Sequence, residues 1–164
     1  MWLSDLKNTS LALAAFVLAS CGFAPAYGPQ GPALTLRDNV ALSAPGDRDG
    51  FDLTTRLEER LGRASGAPDW RLDWSLSINS REAGLLPDGA ITRYTLVGKA
   101  HYSLVSNTTG QVATSGSVAN QTTYSSAGST AATSAAERDA HMRLMMILAD
   151  QMVNRLIAAS PRLP

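Results

Sequence analysis

The chain contains a single cysteine, Cys21, and carries no net charge at pH 7, because 14 Lys and Arg residues are balanced by 14 Asp and Glu residues. One cysteine excludes an internal disulfide, a multi-cysteine zinc site and CxxC redox chemistry. The lack of excess positive charge removes the electrostatic footprint of a general nucleic-acid binder, which must neutralise several phosphates. We therefore expect no nucleic-acid partner.

The sequence also lacks the motifs of the common enzyme classes, since GxSxG, HExxH, GxGxxG and Walker patterns are all absent. His101 and His141 have no second histidine or acidic residue at ligand spacing, so we interpret both as surface histidines. The segment Asp47-x-Asp49-Gly50 is similar to part of a calcium loop, but Arg56 stands where the bidentate glutamate belongs. We therefore predict a non-enzymatic protein without a metal or other cofactor.

No apolar run is long enough to cross a bilayer. The apolar run at residues 9–19 carries no charge and is about half of the roughly 20 residues that a spanning helix needs, and it has the length of a secretory signal core. The small residues Ala19 and Ser20 precede Cys21, as a bacterial lipoprotein signal peptidase requires. The sequence predicts a signal peptide over 1–20 and a lipid anchor on Cys21; the alternative is a chance thiol in an ordinary secreted protein. Several acyl chains would anchor the protein stably, and Gly22 after the cysteine favours the outer membrane.

After the cysteine, residues 21–32 are rich in proline and glycine and are predicted to form a lipidated tether. Residues 33–160 are predicted to form one domain. Apolar and polar residues alternate from Trp70 to Asn79, which indicates a strand covered on one side. Leu53, Leu57 and Leu61 recur at helical spacing and predict an amphipathic helix over 51–64.

The remaining elements follow from the same patterns. We predict a weak strand over 33–42, a loop over 80–89, and strands over 90–106 and 111–124. A mobile Ser/Thr/Ala loop over 125–136 is expected to end in a capping box, Ser134-x-x-Glu137, which starts a helix reaching about residue 159. The predicted inner face of that helix comprises Met142, Met145, Leu148, Ala149, Met152, Val153 and Leu156. On the first helix, Asp52–Arg56 and Glu59–Arg63 are the expected ion pairs, and Asp49 or a neighbour is the expected cap.

The element order predicts an α/β fold of the α+β sandwich kind, in which two helices pack on one face of a four-stranded, mostly antiparallel mixed sheet. The other face has no covering layer. Arg93, Lys99 and His101 are expected there, together with Arg71 if the second and third strands pair in the required register. These cations are suited to an anionic ligand, or they are surface charges that prevent aggregation; both interpretations stay open.

Three segments in their order carry a family resemblance: Cys21 to Gly28 (CGFAPAYG), the Leu53, Leu57, Leu61 helix, and the strand ITRYTL of residues 91–96 followed by AHYSL of residues 100–104. Together they resemble the LptE family of lipopolysaccharide-assembly lipoproteins, in its short alphaproteobacterial-like form, over most of residues 21–159. The resemblance implies a sheet with two helices that sits inside an LptD-type outer-membrane barrel, helps that barrel assemble and contacts lipopolysaccharide.

We therefore expect an outer-membrane lipoprotein, lipid-anchored at the periplasmic face, that assembles with and plugs an LptD-type barrel for lipopolysaccharide transport and insertion. Arg93 and Lys99, helped by Arg71, are the candidate contacts for lipopolysaccharide phosphates. One alternative is an auxiliary lipoprotein of a lipid ABC transport system, which would co-purify with an inner-membrane permease or its lipid carrier. The other is a lipoprotein hydrolase, which the missing enzyme motifs disfavour.

Overall fold

A computed structural model describes residue 28 and residues 31–85, 91–126 and 128–163. The predicted signal peptide, the predicted lipidation site Cys21 and most of the predicted tether lie outside the described residues. Pro32–Pro164 form one compact unit. Its elements are β1 (Val40–Leu42), α1 (Arg48–Leu61), β2 (Trp70–Leu85), β3 (Ile91–Ser106), β4 (Val112–Ser125) and α2 (Thr130–Ala159), flanked by short 3-10 helices at Pro32–Thr35 and Ser160–Arg162.

The sheet has the strand order β1-β2-β3-β4. β1 runs parallel to β2, whereas β2 with β3 and β3 with β4 are antiparallel. The parallel pair follows from the connection, because parallel neighbours need a crossover and α1 provides it. The predicted fold class, a mixed four-stranded sheet with two helices, is confirmed.

The even-numbered residues of β3 face the helices. Leu96, Ala100 and Leu104 are buried on this face. Gly98 lies between them, and a Cβ built on it would stand only 2.9 Å from a methyl group of Leu144 on α2. The missing side chain therefore lets α2 lie close against the sheet, and the odd-numbered residues are left on the uncovered face.

α1 begins three residues before its predicted start. The Asp47 carboxylate accepts a hydrogen bond of 2.7 Å from the Gly50 amide and so caps the helix. Gly62, with a φ of 81°, ends it in a backbone conformation that favours glycine. The predicted apolar stripe of Leu53, Leu57 and Leu61 is buried.

The two ion pairs predicted along α1 are wrong. Arg56 instead donates to Glu59 and to both carboxylate oxygens of Asp150 on α2, at 3.0 and 3.1 Å. Arg60 reaches the same Asp150 carboxylate at 2.7 Å, while Arg63 pairs with Glu58. The hydrogen bonds to Asp150 and Glu59 raise the pKa of Arg56. Arg56 thus binds Asp150 on the neighbouring helix instead of Asp52 one turn away, because Asp150 accepts two hydrogen bonds in a half-buried position.

The N-terminal part of the domain also departs from prediction. A 3-10 helix and a turn occupy most of the predicted strand over 33–42, and only Val40–Leu42 pair with β2. Asp38 has a φ of 56°, in the left-handed region, so the chain reverses there instead of extending. Leu36 is fully buried, which fixes the turn against the core.

β2 is longer than predicted, because residues 80–85 continue the strand instead of forming a loop. Ser80 lies opposite Leu96 and Arg81 opposite Thr95, so the antiparallel ladder proceeds past the last apolar residue of the pattern. A bulge between Glu82 and Leu85 then interrupts the register.

α2 begins at Thr130, within the segment predicted to be a mobile loop. Its cap is Ser129, whose hydroxyl accepts from the Ala132 amide at 3.3 Å, and the predicted capping box at Ser134 is therefore wrong. Alanine is the best helix former, which explains why this Ser/Thr/Ala run extends the helix. The predicted inner face is buried except for Met142, which is 45% exposed.

β4 is the long edge strand of the sheet. Ser126 donates to Thr92 of β3, which fixes the pairing so that carbonyls of odd-numbered β4 residues point to the free edge. From α2, Arg155 donates to the Ser117 carbonyl at 2.6 Å and Arg143 to the Thr123 carbonyl at 3.2 Å. Two arginines therefore occupy hydrogen-bonding positions along this edge.

Candidate functional site

The uncovered face of the sheet carries the candidate ligand-binding residues. Polar side chains dominate its odd-numbered positions in β2, β3 and β4. The basic members are Arg71, Arg81, Arg93 and Lys99. Among the described odd-numbered positions of these strands, Asp73 is the sole carboxylate. The face therefore offers cationic and hydroxyl groups with little negative charge to oppose an anion.

Arg93 and Lys99 stand on this face of β3, as their even separation predicts. Both side chains are exposed. Six residues separate them, which corresponds to about 20 Å along the strand. No hydrogen bond or ion pair joins either one to another residue in the described ranges, so both are available to a ligand.

Arg71 is not brought together with these two cations. It lies opposite Val105, six positions further along β3 than Lys99, which is again about 20 Å. Its guanidinium donates to both carboxylate oxygens of Asp73, at 2.9 and 3.1 Å. This hydrogen bond raises the pKa of Arg71 and neutralises the pair.

Arg81 is the cation that the sequence reasoning missed. It lies opposite Thr95, on the same face as Arg93 and diagonal to it, and its side chain is exposed. Diagonal neighbours on an antiparallel pair are about 7–8 Å apart, so two arginines can reach one phosphate. The prediction of a loop over 80–89 hid this residue. Extending the strand by two residues beyond Asn79 would have placed Arg81 on the same face as Asn79.

A shallow hollow of about 570 Å³ lies on the uncovered face, toward the end of the sheet where β2 begins. Two rows of side chains line it, each crossing the three long strands. One row is Asp73, Ser103 and Ser115, and the next is Ser75, His101 and Ser117. No hydrogen bond joins His101 to Asp73 or to a serine within the described residues.

His141 is not the isolated surface histidine that the sequence suggested. Its Nδ1 lies 3.0 Å from both carboxylate oxygens of Asp49, and the pair joins α2 to the first turn of α1. Both side chains are half-buried. Residue spacing in sequence could not reveal this contact, because 92 positions separate the partners. Across the described ranges, no group of three His, Cys, Asp or Glu side chains could hold a metal ion.

An aromatic pair lies on the helix-covered face near the end of the β3–β4 ladder. The rings of Tyr94 and Tyr124 are stacked with centroids 5.2 Å apart. The Tyr124 hydroxyl lies 3.3 Å from Glu137 on α2. Burial raises the pKa of Tyr124, and the nearby Glu137 carboxylate raises it further. This contact holds the start of α2 against β4.

Comparison with known proteins places these features in context. A protein-family model described as LptE, lipopolysaccharide-assembly, matches residues 36–156, from the turn before β1 to near the end of α2. No curated protein matches the chain. Among the described residues, no helix combines the length and hydropathy needed to cross a membrane.

Solved structures share the fold at low sequence identity. A protein from Caulobacter crescentus described as a candidate lipoprotein aligns with a TM-score of 0.66 and 21% identity, over 79% of this chain and 96% of its own. The rare lipoprotein B from Shewanella oneidensis aligns at 0.56 and 15%, over 75% and 94%. A minor lipoprotein from Acinetobacter baumannii aligns at 0.57 and 19%, over 76% and 91%.

Proposed function

Because the chain belongs to the LptE family of lipopolysaccharide-assembly proteins, we propose that it is the lipoprotein plug of an LptD-type outer-membrane barrel. The family match carries this proposal, since it spans all four strands and nearly all of both helices. It also confirms the resemblance found in the sequence. The neighbours from three bacteria that share the fold are themselves described as lipoproteins.

The position in the cell follows from the N-terminal segment. We propose that Cys21 carries the lipid, that residues 21–32 form the tether, and that the domain is held at the periplasmic face of the outer membrane. Several acyl chains bury enough CH₂ groups, at about 0.8 kcal/mol each, to make the anchor stable.

The geometry of the domain supports a plug. The interior of a membrane barrel is polar, and the uncovered face presents serines, threonines and cations instead of apolar side chains. β2 and β3 have 16 residues each, or about 50 Å of extended chain, which is long enough to follow a barrel wall. In this role the protein acts by binding and positioning, without catalysis, as in its family.

We further propose that Arg93 and Lys99 contact the phosphates of lipopolysaccharide, with Arg81 beside Arg93. Arg93 and Lys99 are about 20 Å apart along β3, and this distance suits two phosphate groups on one large glycolipid better than a single phosphate. Charge-assisted contacts contribute about 1.5–3 kcal/mol each when partly desolvated and much less when exposed to water. Arg71 has the weakest claim of the candidates, because Asp73 already binds it.

The barrel partner is tested by affinity purification of the tagged full-length chain from detergent-solubilised outer membranes. We expect a large β-barrel protein in the eluate. Recovery of an inner-membrane permease or a periplasmic lipid carrier in its place would support the alternative, an auxiliary lipoprotein of a lipid ABC system. Cys21→Ala is the matched control for the anchor, because it removes the lipid and leaves the domain unchanged.

Direct lipopolysaccharide binding is tested with Arg93→Ser/Lys99→Ser, measured against wild type at low salt, where such contacts are strongest. We expect weaker binding. Arg48→Ser/Arg162→Ser is the control, since it removes two exposed cations that lie away from the uncovered face and, like Arg93 and Lys99, make no ion pair within the described residues. Equal affinity of wild type and the Arg93/Lys99 variant would leave these two residues as solvated surface charges.

A further inference from the structure

The hollow on the uncovered face has an unusual composition for the surface of a sheet. Its six polar side chains, Asp73, Ser75, His101, Ser103, Ser115 and Ser117, form the two adjacent rows described above; we call them the serine hollow. The face is open above them over about 570 Å³. Such a depression arises because serines stand where β-branched or aromatic residues usually cover a strand.

Packing does not account for these serines. On the opposite face Tyr102 covers Gly116, where an added Cβ would lie 2.7 Å from the tyrosine hydroxyl, so the helix side is filled independently of them. The four serine hydroxyls make no hydrogen bond with other residues in the described part of the chain. They are therefore free to bind a ligand from the open side.

The donors and acceptors of the serine hollow match a carbohydrate. Each hydroxyl both donates and accepts, as sugar hydroxyls do, and the Asp73 carboxylate is an acceptor held in place by Arg71. The two rows cover about 10 by 7 Å, since strands lie about 4.8 Å apart and alternate residues about 7 Å apart. This area suits one or two sugar rings lying flat on the sheet.

The next row of the face indicates that the ligand carries a negative charge. It consists of Ser77, Lys99 and Ala119, so the exposed Lys99 stands about 7 Å along β3 from His101. An anionic substituent on the sugar would meet this ammonium while the rings occupy the hollow. Beyond Lys99, the Arg81 and Arg93 pair provides a second cationic point on the same face.

We infer that the serine hollow binds the sugar rings of a phosphorylated saccharide whose phosphate contacts Lys99. This inference rests on the proposed function, because it assigns the saccharide part of the glycolipid to a defined surface of the domain. A peptide segment of the barrel is the other occupant to consider. Its backbone would also offer donors and acceptors, but the open hollow and the position of Lys99 one row beyond the serines suit a phosphate-bearing sugar ring, so the saccharide is favoured.

The test uses the full-length lipoprotein in detergent and a lipid-free, phosphorylated core oligosaccharide prepared from lipopolysaccharide. Binding is measured by calorimetry for wild type and for Ser103→Val/Ser115→Val, in which two opposed hydroxyls become methyl groups that fill the hollow. We expect at least a tenfold loss of affinity. Thr95→Val/Thr123→Val is the matched control, because it removes two opposed hydroxyls from the same face outside the hollow and should bind like wild type.

A second probe separates sugar from charge. We expect the dephosphorylated oligosaccharide to bind wild type more weakly and to lose its sensitivity to Lys99→Ser, while it keeps its sensitivity to the serine substitutions. If the valine variant fails to fold, as judged by circular dichroism, Ser103→Ala/Ser115→Ala replaces it.

Equal oligosaccharide affinity of wild type and the serine variants would overturn the inference. The same conclusion would follow if the serine variants lost the barrel protein in affinity purification but kept oligosaccharide affinity, because the hollow would then be a protein contact. Failure of the proposed function is a separate result: no barrel protein would be recovered with wild type, whatever its oligosaccharide affinity.

Discussion

Gly98 on β3 provides a direct test of how closely α2 packs on the sheet. A Cβ at this position would lie 2.9 Å from Leu144 Cδ2, 3.1 Å from Leu148 Cδ1 and 3.2 Å from Leu144 Cγ. Both leucines are fully buried. Since their neighbours leave them little room to move, Gly98→Ala should destabilise the domain.

The magnitude follows from two opposing effects. Overpacking a well-filled core costs about 1–3 kcal/mol. Replacing glycine by alanine restricts the unfolded chain and returns about 0.4–1 kcal/mol. We therefore expect a net loss of about 1–2 kcal/mol in the free energy of unfolding, which in a domain of this size lowers the Tm by about 3–10 °C.

The assay is urea and thermal unfolding followed by circular dichroism. Gly46→Ala is the control, because no atom lies within 4 Å of a Cβ added there, and it should be neutral or slightly stabilising. Leu144→Ala completes a double-mutant cycle. Alone it should cost about 2–5 kcal/mol, but it removes the methyl group nearest to the new Cβ, so the double variant should be more stable than the sum of the two predicts.

Two results would refute this reasoning. A Gly98→Ala protein as stable as wild type would mean that α2 is not held close to β3 at this point. Strict additivity in the cycle would mean that any destabilisation does not arise from the contact with Leu144.

Three further predictions concern the helix pair, the tyrosine contact and the anchor. Asp150→Ala removes the carboxylate that joins Arg56 and Arg60 to α2, and it should lower the free energy of unfolding by about 1–2 kcal/mol in urea titrations. The pKa of Tyr124 is raised in the folded state above its ordinary value of 10.0, so its contribution to stability is fully present below pH 10.0 and is lost as the pH rises through the folded-state pKa. Tyr124→Phe should therefore flatten the decline of Tm at alkaline pH. Cys21→Ala should abolish labelling by a fatty-acid probe, and label persisting on that variant would contradict the lipidation hypothesis.

Features that depend on local spacing were predictable from the sequence. The alternation from Trp70 and the leucines at helical spacing gave the correct element types, because burial on one face imposes those periods directly. Arg93 and Lys99 were correctly predicted to share a face for the same reason, because an even number of residues separates them on one strand. The fold class followed from the order of these elements.

Features that depend on long-range contacts were not predictable in this way. Arg56 binds Asp150 and His141 binds Asp49 across more than 90 positions, and nothing in the local sequence distinguishes these partners from nearer ones. Arg81 was missed because β2 continues by pairing with β3 after its apolar alternation ends. The start of α2 was misplaced because a run of small polar residues is typical of both loops and helices.

The two arginines on β4 restrict how the sheet can grow. An added strand would need the outward carbonyls of β4, and Arg155 and Arg143 already occupy those of Ser117 and Thr123. The stretches of β4 that these two arginines leave open, 113–115 and 119–121, are each shorter than a typical strand. Strand addition along the whole of β4, by a second copy or by a strand of the barrel, would first have to displace both guanidinium groups. The β4 edge of this sheet is thus protected by its own helix, whereas β1 covers only Trp70–Leu72 of the 16-residue β2, so strand addition is directed to the opposite edge.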